Sequence, residues 1–331
     1  MNANLSSRII GTGSFLPGRQ VDNQEVADLL GIEPSYIFRV SGIRFRFWAD
    51  SQEECSFLAE QATRRALDQA DLVPEDLDAI LVSSTSPEMI FPSTACLLQA
   101  RLGIRGIPAF DLSASCSGFL YGLSMADCFI RAGQFRRCLV VASEIKSRSL
   151  DVKDLSTTIL FGDGAGAAIV ERSSNSDMGI VSIRLHADGA YHDLVKIAGG
   201  GSRQPLSQSV LESNAHTLRI RGSRVFRIAI KRLGQAVSDH LAHEKWDASQ
   251  LDQVIFHQAN GRMLTQFCEN IGVPPERCLS IIEQVGNTSS ASLSMALDHA
   301  NRSQKLKTGD RVMLGAFGGG LTWGTALVRW G

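Results

Sequence analysis

Short apolar runs that do not alternate with polar residues constrain the fold of this chain most. They lie at residues 79–84, 138–143, 253–258 and 311–317. Runs rich in Val, Ile and Leu without alternation are typical of central strands that are buried on both faces. Between them lie helical patterns, such as 55–70 and 223–244, which are apolar on one face and charged on the other. The alternation of strands and helices predicts a layered α/β fold.

Two sequence layouts occur twice, in the same order. A helix, a short link and a strand follow one another at 65–85 and again at 233–259. A Phe, a glycine turn and a strand follow at 161–171 and again at 317–329. Any α/β chain offers some similar segments, but two repeated features in one order favour an internal duplication. We therefore predict two similar halves, 1–174 and 175–331, packed around a pseudo-two-fold axis.

Composition and charge exclude several classes of protein. The 331 residues are 44% hydrophobic and 20% charged, which is enough for a large core. The formal net charge of −1 provides no global field that would attract nucleic acid or an anionic membrane. No run approaches the roughly 20 apolar residues of a membrane helix, and the N-terminus lacks the apolar core of a signal peptide. We therefore expect a cytoplasmic protein without nucleic-acid or membrane partners.

The seven cysteines show neither a CxxC motif nor any paired spacing. This pattern argues against a zinc site and against a disulfide framework, and it suits a reducing compartment. Cys116 differs from the others because it follows a predicted strand end at 110–112 and precedes a predicted helix at 117–131. That helix is apolar nearly all round, so we expect it to be buried.

Cys116 is therefore a candidate nucleophile at the N-terminus of a buried helix. Unpaired backbone N–H groups and the helix dipole would stabilise its thiolate. The surrounding Ser, Ala and Gly residues would let a substrate approach, and backbone N–H groups could hold an oxyanion. The alternative is that Cys116 only fills the core, as we expect for the other six cysteines.

Three further segments carry candidate site residues. His257 begins an HQAN sequence at a strand exit, where an imidazole can act as acid, base or hydrogen-bond donor. Asn287 lies in a Gly-Asn-Thr-Ser turn and could equally be a turn or cap residue. Three consecutive glycines at 318–320 could direct backbone amides towards a ligand, or they could only form a tight hairpin.

Together these segments resemble the thiolase superfamily, and most closely the β-ketoacyl-acyl-carrier-protein synthase III family. The likeness runs in order through nine motifs: IIGTGSFLP (9–17), SGIRFR (41–46), FPSTAC (91–96), AFDLSASCSGF (109–119), FGDGAGAAIV (161–170), LHADG (185–189), HQAN (257–260), GNTSSAS (286–292) and AFGGGLTWGTALVRW (316–330). The resemblance implies a thiolase-like, duplicated αβαβα layered fold.

The resemblance also implies a reaction and assigns roles to residues. Cys116 would take an acyl group from a thioester, with the backbone N–H groups of Cys116 and Gly319 as the oxyanion hole. His257 and Asn287 would donate hydrogen bonds to the thioester oxygen of malonyl-acyl-carrier protein while carbon dioxide leaves. The products would be a β-ketoacyl-acyl-carrier protein and CO₂. The family chemistry needs no metal and no other cofactor, only acyl-CoA or acyl-carrier protein and the malonyl substrate.

Further residues acquire roles in binding from the same resemblance. Phe317 would pack beside the catalytic sulfur, and Ser223 would contact substrate. Phe91, in the apolar loop at 86–94, would reach across a homodimer and close the partner's acyl pocket. Met89 and Ile90 would help to shape that pocket.

A basic helical face is the candidate docking site for acyl carrier protein. Arg224, Arg227 and Lys231 are spaced i, i+3 and i+7, so a helix places them on one face. Arg227 and Arg262 align with the basic docking residues of the family. The alternative is an ordinary solvated basic face.

The sequence departs from the family where coenzyme A would stack. Tyr36 stands where a Trp is usual, Leu155 where an Arg is usual, and Val40 where a further Arg is usual, with Arg39 one position early. The expected loss of a cation beside the ring weakens the case for acetyl-CoA. A longer acyl-CoA or a carrier-bound acyl group remains open. Two other functions also remain open: acyl transfer without decarboxylation, and a non-catalytic partner with the thiolase fold.

Overall fold

The computed structural model describes residues 5–175 and 177–331. The elements up to residue 173 are β1 (Ser6–Phe15), β2 (Arg19–Asp22), α1 (Asn23–Leu30), α2 (Pro34–Ser41), β3 (Phe45–Trp48), α3 (Cys55–Ala70), β4 (Ala79–Ser83), α4 (Thr94–Leu102), β5 (Ala109–Leu112), α5 (Gly118–Arg131), β6 (Arg137–Glu144), α6 (Leu155–Thr158) and β7 (Gly164–Ser173). The elements from residue 179 are β8 (Gly179–Ala187), β9 (Val195–Lys196), α7 (Gln208–Glu212), β10 (Arg219–Ile220), α8 (Gly222–Glu244), β11 (Gln253–Phe256), α9 (Gly261–Ile271), β12 (Cys278–Leu279), α10 (Ile282–Val285), α11 (Ala291–Arg302), β13 (Arg311–Gly318) and β14 (Thr322–Arg329).

Two five-stranded sheets repeat one topology. The first has the order β1-β7-β6-β4-β5 and the second the order β12-β11-β13-β14-β8. In the first, β4 pairs in parallel with β5 and β6, and β7 pairs antiparallel with β6 and β1. In the second, β11 pairs in parallel with β12 and β13, and β14 pairs antiparallel with β13 and β8. The predicted duplication is confirmed. The domain boundary at 174/175 stays a prediction, and it falls between β7 and β8.

Helices and sheets alternate in five layers. Apolar side chains of α3 and α4 pack on the outer face of the first sheet, and those of α8 and α9 pack on the outer face of the second. The helices α5 and α11 lie between the sheets and share one core with strands of both. This close packing needs small side chains, since a Cβ on Gly166 of β7 would lie 2.7 Å from the backbone N of Met295 on α11. The predicted αβαβα arrangement is confirmed.

The predicted elements are confirmed, with small shifts at functional boundaries. The strand predicted at 253–258 ends at Phe256, so His257 lies just beyond the sheet. The helix predicted at 117–131 begins as an α-helix at Gly118 and follows a 3₁₀ turn over Ser115–Ser117. Within the described residues, no helix is both long enough and apolar enough to cross a bilayer.

The expectation of no disulfide is wrong, because Cys268 and Cys278 are joined. Gly272, with φ of 71°, ends α9 in the left-handed conformation, and the chain then turns back beside the helix. This reversal brings together two cysteines whose spacing matched no known motif. The expectation that the remaining cysteines fill the core holds for Cys55 and Cys138, whereas Cys96 and Cys128 are exposed.

Candidate active site

A sharp turn places Cys116 at the junction of β5 and α5. Ser115 has φ of 50°, a left-handed conformation that is uncommon outside glycine. The following helix begins against β4, and a Cβ on Gly118 would overlap the Ser83 hydroxyl. The sulfur thereby borders a cavity of about 850 Å³ that lies between the two halves.

The expected thiolate at Cys116 is not the resting form. Burial raises the pKa of the Cys116 thiol, although the hydroxyls of Ser289 and Ser115 and the charge of Lys146 act in the opposite direction. The Ser289 and Ser115 hydroxyls lie 3.7 and 3.8 Å from the sulfur. Cys116 therefore rests as a neutral thiol.

The glycine loop after β13 packs directly against Cys116. A Cβ on Gly318 would lie 2.6 Å from the Cys116 backbone N, and one on Gly319 would lie 3.2 Å from the Ser115 hydroxyl. Within residues 5–175 and 177–331, neither the Cys116 nor the Gly319 backbone N–H donates to a protein acceptor. Both N–H groups are thus available to a ligand, and their role as an oxyanion hole stays a prediction.

His257 is held as a neutral hydrogen-bond donor. Its backbone N–H donates to Gly315 O at 2.8 Å, and its ring Nδ1 is hydrogen-bonded to the Ser292 hydroxyl. The Ser292 oxygen also accepts the Gln258 backbone N–H at 3.1 Å, so we assign the Ser292 hydroxyl as the donor and Nδ1 as the acceptor. The ring proton then lies on Nε2. Burial lowers the pKa of His257 to about 3, so the ring is neutral at pH 7.

Hydrogen bonds to both halves of the chain orient Asn287. The Asn287 backbone N–H donates to Leu160 O at 2.8 Å, and its O accepts the Gly162 N–H at 3.0 Å. In the side chain, Oδ1 accepts the Ser289 N–H at 2.9 Å and Nδ2 donates to Ala259 O at 3.2 Å. Since an amide nitrogen carries two hydrogens, one remains for a ligand.

The same cavity brings together the residues that the sequence predicted. Its wall contains Cys116, His257, Asn287, Phe317, Gly319, Tyr36, Ser223, Arg227 and Arg262. Ser223, Arg227 and Arg262 are exposed, whereas His257 and Asn287 are buried, so the cavity runs from the surface to the sulfur. A thiol, a neutral imidazole, a carboxamide and the backbone of Gly319 therefore line one cavity.

Comparisons with known proteins agree with this geometry. Residues 110–189 match the family model 3-oxoacyl-[acyl-carrier-protein] synthase III, and residues 241–330 match the model of the C-terminal region of that synthase. A relative from Methylococcus capsulatus, named beta-ketoacyl-[acyl-carrier-protein] synthase III, is 43% identical over 98% of this chain and 99% of its own length. The chain belongs to the 3-oxoacyl-[acyl-carrier-protein] synthase III family. It is a condensing acyltransferase, and the predicted family and enzyme class are confirmed.

Solved structures show the same relationship. The 3-oxoacyl-[acyl-carrier-protein] synthase III of Aquifex aeolicus is 36% identical, with a TM-score of 0.91 over 98% of this chain and 100% of that chain. The priming β-ketosynthase of the R1128 polyketide pathway is 32% identical, with a TM-score of 0.90 over 98% of this chain and 96% of that chain.

A second, smaller cavity of about 220 Å³ also borders Cys116. Apolar side chains form much of its wall, namely Phe161, Val195, Ile197 and Leu218. Lys146, Thr85 and Ser289 also line it, and sequence reasoning gave none of these three a role. No sequence motif distinguishes these three residues from other Ser, Thr and Lys residues, because only the fold places them beside the cavity that Cys116 borders.

Two predicted site residues, Phe91 and Arg224, line neither of these two cavities. Phe91 is 83% exposed, and Leu155 is 37% exposed on α6. Arg224 lies over the Tyr191 ring at 5.7 Å. The Arg39 guanidinium lies 5.5 Å from the Tyr36 ring centroid, whereas position 155, where the family carries its sandwiching Arg, is a leucine. Positions 36 and 39 are neighbours on one face of α2, which explains the pairing.

Proposed function

We propose that this synthase loads an acyl group onto Cys116 and condenses it with a malonyl group carried by acyl carrier protein. One observation carries the proposal: Cys116, His257 and Asn287 share a cavity in which both donors are neutral and oriented. The pathway served is the synthesis of fatty acids or related lipids.

The first half-reaction is acyl transfer to sulfur. The Cys116 sulfur attacks the thioester carbonyl, and the backbone N–H groups of Cys116 and Gly319 hold the oxyanion. The tetrahedral intermediate expels the carrier thiol, which leaves with the proton that Cys116 gives up. One such oxyanion donor contributes about 10²–10³ in rate.

The second half-reaction is decarboxylative condensation. His257 Nε2–H and the remaining Asn287 Nδ2–H donate to the malonyl thioester oxygen. Carbon dioxide leaves, the electron pair forms an enolate, and those two donors stabilise its charge. The enolate carbon then attacks the acyl carbonyl on Cys116, and the C–S bond breaks to return the thiolate. Because loss of CO₂ drives bond formation, we propose that neither metal nor other cofactor takes part.

Exposed basic residues at the cavity opening support docking of an acidic acyl carrier protein. Arg227 and Arg262 line the opening, and Arg224 and Lys231 extend the basic face along α8. The Arg262 guanidinium donates to Arg39 O at 2.8 Å, which fixes its position. Positively charged side chains in fixed positions increase the rate of encounter with an anionic carrier protein and orient that protein at the cavity opening.

We further propose a cytoplasmic homodimer. Met89, Ile90 and Phe91 form an apolar tip in which the exposed fractions are 46%, 91% and 83%. Such contiguous apolar exposure is typical of an interaction surface. In a dimer this tip would reach the partner's acyl cavity, the role that the resemblance assigned to Phe91.

The decisive experiment follows product and CO₂ together. The protein is incubated with a series of acyl-CoA and acyl-carrier-protein donors and with malonyl-acyl-carrier protein. We expect β-ketoacyl product and CO₂ in equal amounts. Acyl transfer without CO₂ would instead establish an acyltransferase, and the absence of any Cys116-dependent acyl-enzyme would establish a non-catalytic protein.

A further inference from the structure

A buried lysine borders the smaller cavity beside the nucleophile. Lys146 follows β6, and its side chain is only 5% exposed. Its Nζ lies 3.1 Å from Glu144 Oε2 and donates to the Thr85 hydroxyl. The cavity that it lines also contains Cys116 and Gly319. A cationic group thus lies in the wall of the space next to the candidate acyl-enzyme.

Glu144 neutralises this lysine and is itself fully hydrogen-bonded. Its carboxylate accepts from the hydroxyls of Ser290 at 2.8 Å, Ser86 at 2.5 Å and Thr85 at 3.0 Å. Burial raises the pKa of Glu144, but Lys146 and these hydroxyls outweigh burial and leave the pKa below its ordinary value. Glu144 therefore remains ionised, and the pair adds no net charge to the cavity.

One N–H of Lys146 has no protein acceptor. An ammonium carries three donors, and within the described part of the chain only Glu144 and Thr85 accept from this one. A buried donor without a partner is costly, so a molecule in the cavity that offers an oxygen would be favoured. The other walls include Phe161, Val195 and Leu218, which suit a hydrocarbon segment.

We propose that Lys146 selects an acyl group that carries a neutral oxygen substituent, a hydroxyl or a keto group, over an unsubstituted acyl group. The inference rests on the proposed loading of Cys116 and names its substrate class. The oxygen would accept the third N–H of Lys146. An acyl carboxylate would bring a second buried negative charge next to Glu144 without a further buried cation, so a neutral oxygen is preferred.

The test compares acyl groups on one carrier. N-acetylcysteamine thioesters of butyrate, 3-hydroxybutyrate, 4-hydroxybutyrate, acetoacetate and succinate avoid any effect of the nucleotide or carrier protein. Intact-protein mass spectrometry follows loading of Cys116 over time. At least one neutral oxygenated group is expected to load about ten-fold faster than butyrate, the size of a single hydrogen bond to a charged group. Succinate is expected to load no faster than butyrate.

Two variants locate the preference at Lys146. Lys146→Met should abolish the preference, so that butyrate and the oxygenated groups load at the same rate; all of them should load more slowly than in wild type, because the charge of Lys146 lowers the pKa of Cys116. Lys196→Met is the matched control, since Lys196 lines the same cavity but is exposed, and it should keep the preference. Because Lys146→Met leaves Glu144 unpaired, the double variant Glu144→Gln with Lys146→Met repeats the test without a buried charge.

The outcomes separate this inference from the proposed function. Equal loading of butyrate and every oxygenated group by wild type would overturn the inference, since water would then satisfy Lys146. A preference that survives in both Lys146 variants would also overturn it. Fastest loading of succinate would contradict the choice of a neutral oxygen. Failure of every thioester to load Cys116 would count against the proposed function itself.

Discussion

Two loops of the molecule have the same shape and different chemistry. In the first half, Ser115 with φ of 50° precedes Cys116 at the start of α5. In the second half, Ser289 with φ of 53° precedes Ser290 at the start of α11. Both helices lie in the middle layer between the sheets. The duplicated fold therefore provides two equivalent positions for a reactive side chain.

The two positions differ in what surrounds the side chain. The Cys116 sulfur borders both cavities, whereas Ser290 is fully buried and its hydroxyl donates to Glu144. Each loop is also held by a glycine segment of the opposite half, Gly318 against Cys116 and Gly162 against Asn287. The fold fixes where the loops lie, and the residue types decide that one loop carries Cys116, the proposed nucleophile, while the other carries Asn287, a proposed donor.

The largest expected effect is loss of the nucleophile. Cys116→Ser should lower acyl-enzyme formation about 10³-fold or more, because a serine hydroxyl without a base is a far weaker nucleophile than a thiolate. Mass spectrometry of the intact protein with an acyl thioester measures it. Cys128→Ser, an exposed position on the same helix, is the control and should load normally. If the Cys116 variant loads at the wild-type rate, Cys116 is not the nucleophile.

The two glycine segments should affect different half-reactions. In Gly318→Ala the new Cβ would lie 2.6 Å from the Cys116 N and displace it, so acylation should fall about 10²-fold. In Gly162→Ala the Cβ would lie 2.9 Å from Val285 O, beside the Asn287 loop, so CO₂ release should fall while acylation persists. Thermal unfolding of both variants checks their folding. Equal losses in both half-reactions would contradict this division.

The two half-reactions should also differ in pH dependence. Burial raises the pKa of Cys116, so acylation should increase with pH and continue to increase above about pH 8.5, where a free cysteine levels off. His257 stays neutral down to its pKa of about 3, so CO₂ release from preformed acyl-enzyme should be level from about pH 8 to pH 5. Rapid-quench measurements across pH test both. A fall in CO₂ release near pH 6.5 would show that the pKa of His257 is not lowered and would contradict this prediction.

The same lowered pKa affects stability. The unfolded chain takes up a proton on His257 near pH 6.5, whereas the folded chain does so only near pH 3. The unfolded state therefore binds more protons between these values, and the free energy of unfolding should fall as pH decreases from about 6.5. Urea unfolding at several pH values measures this change, and a smaller decline is expected in His257→Ala.

The smallest effect concerns a positioning residue on α11. Ser292→Ala removes the hydroxyl bonded to His257 Nδ1, so the ring proton is no longer confined to Nε2. CO₂ release from acyl-enzyme should fall about ten-fold, the size of one lost hydrogen bond to the transition state. Ser294→Ala, on the same buried helix, is the control because its hydroxyl donates to Ala291 O at 2.9 Å within that helix. Acylation should be unchanged in both, and a fall in acylation with Ser292→Ala would indicate a general structural defect.

The sequence predicts the layers, and it identifies the proposed reacting groups, because both leave local patterns. Non-alternating apolar runs indicate β4 and β6, and the predicted helix at 55–70 coincides with α3. Cys116, His257 and Asn287 each lie at a predicted junction next to small residues, and the family motifs identify them. These features need no knowledge of long-range contacts.

The rest depends on contacts between distant parts of the chain. The Ser289 hydroxyl donates to the carboxylate of Glu144, 145 positions away, and no local sequence pattern indicates that contact. Burial at Cys116 reverses the direction of the pKa shift that a helix N-terminus alone predicts. The Cys268–Cys278 disulfide likewise depends on how the chain turns after α9.

The most direct test of the account uses Asn287→Ala. The variant is given an acyl thioester and then malonyl-acyl-carrier protein, and acyl-enzyme and CO₂ are measured in the same samples. The account predicts that acyl-enzyme forms at the wild-type rate and accumulates, while CO₂ release falls about 10²–10³-fold through loss of one oxyanion donor. Loss of acylation to the same extent, or CO₂ release at the wild-type rate, would contradict the assignment of separate tasks to the two loops.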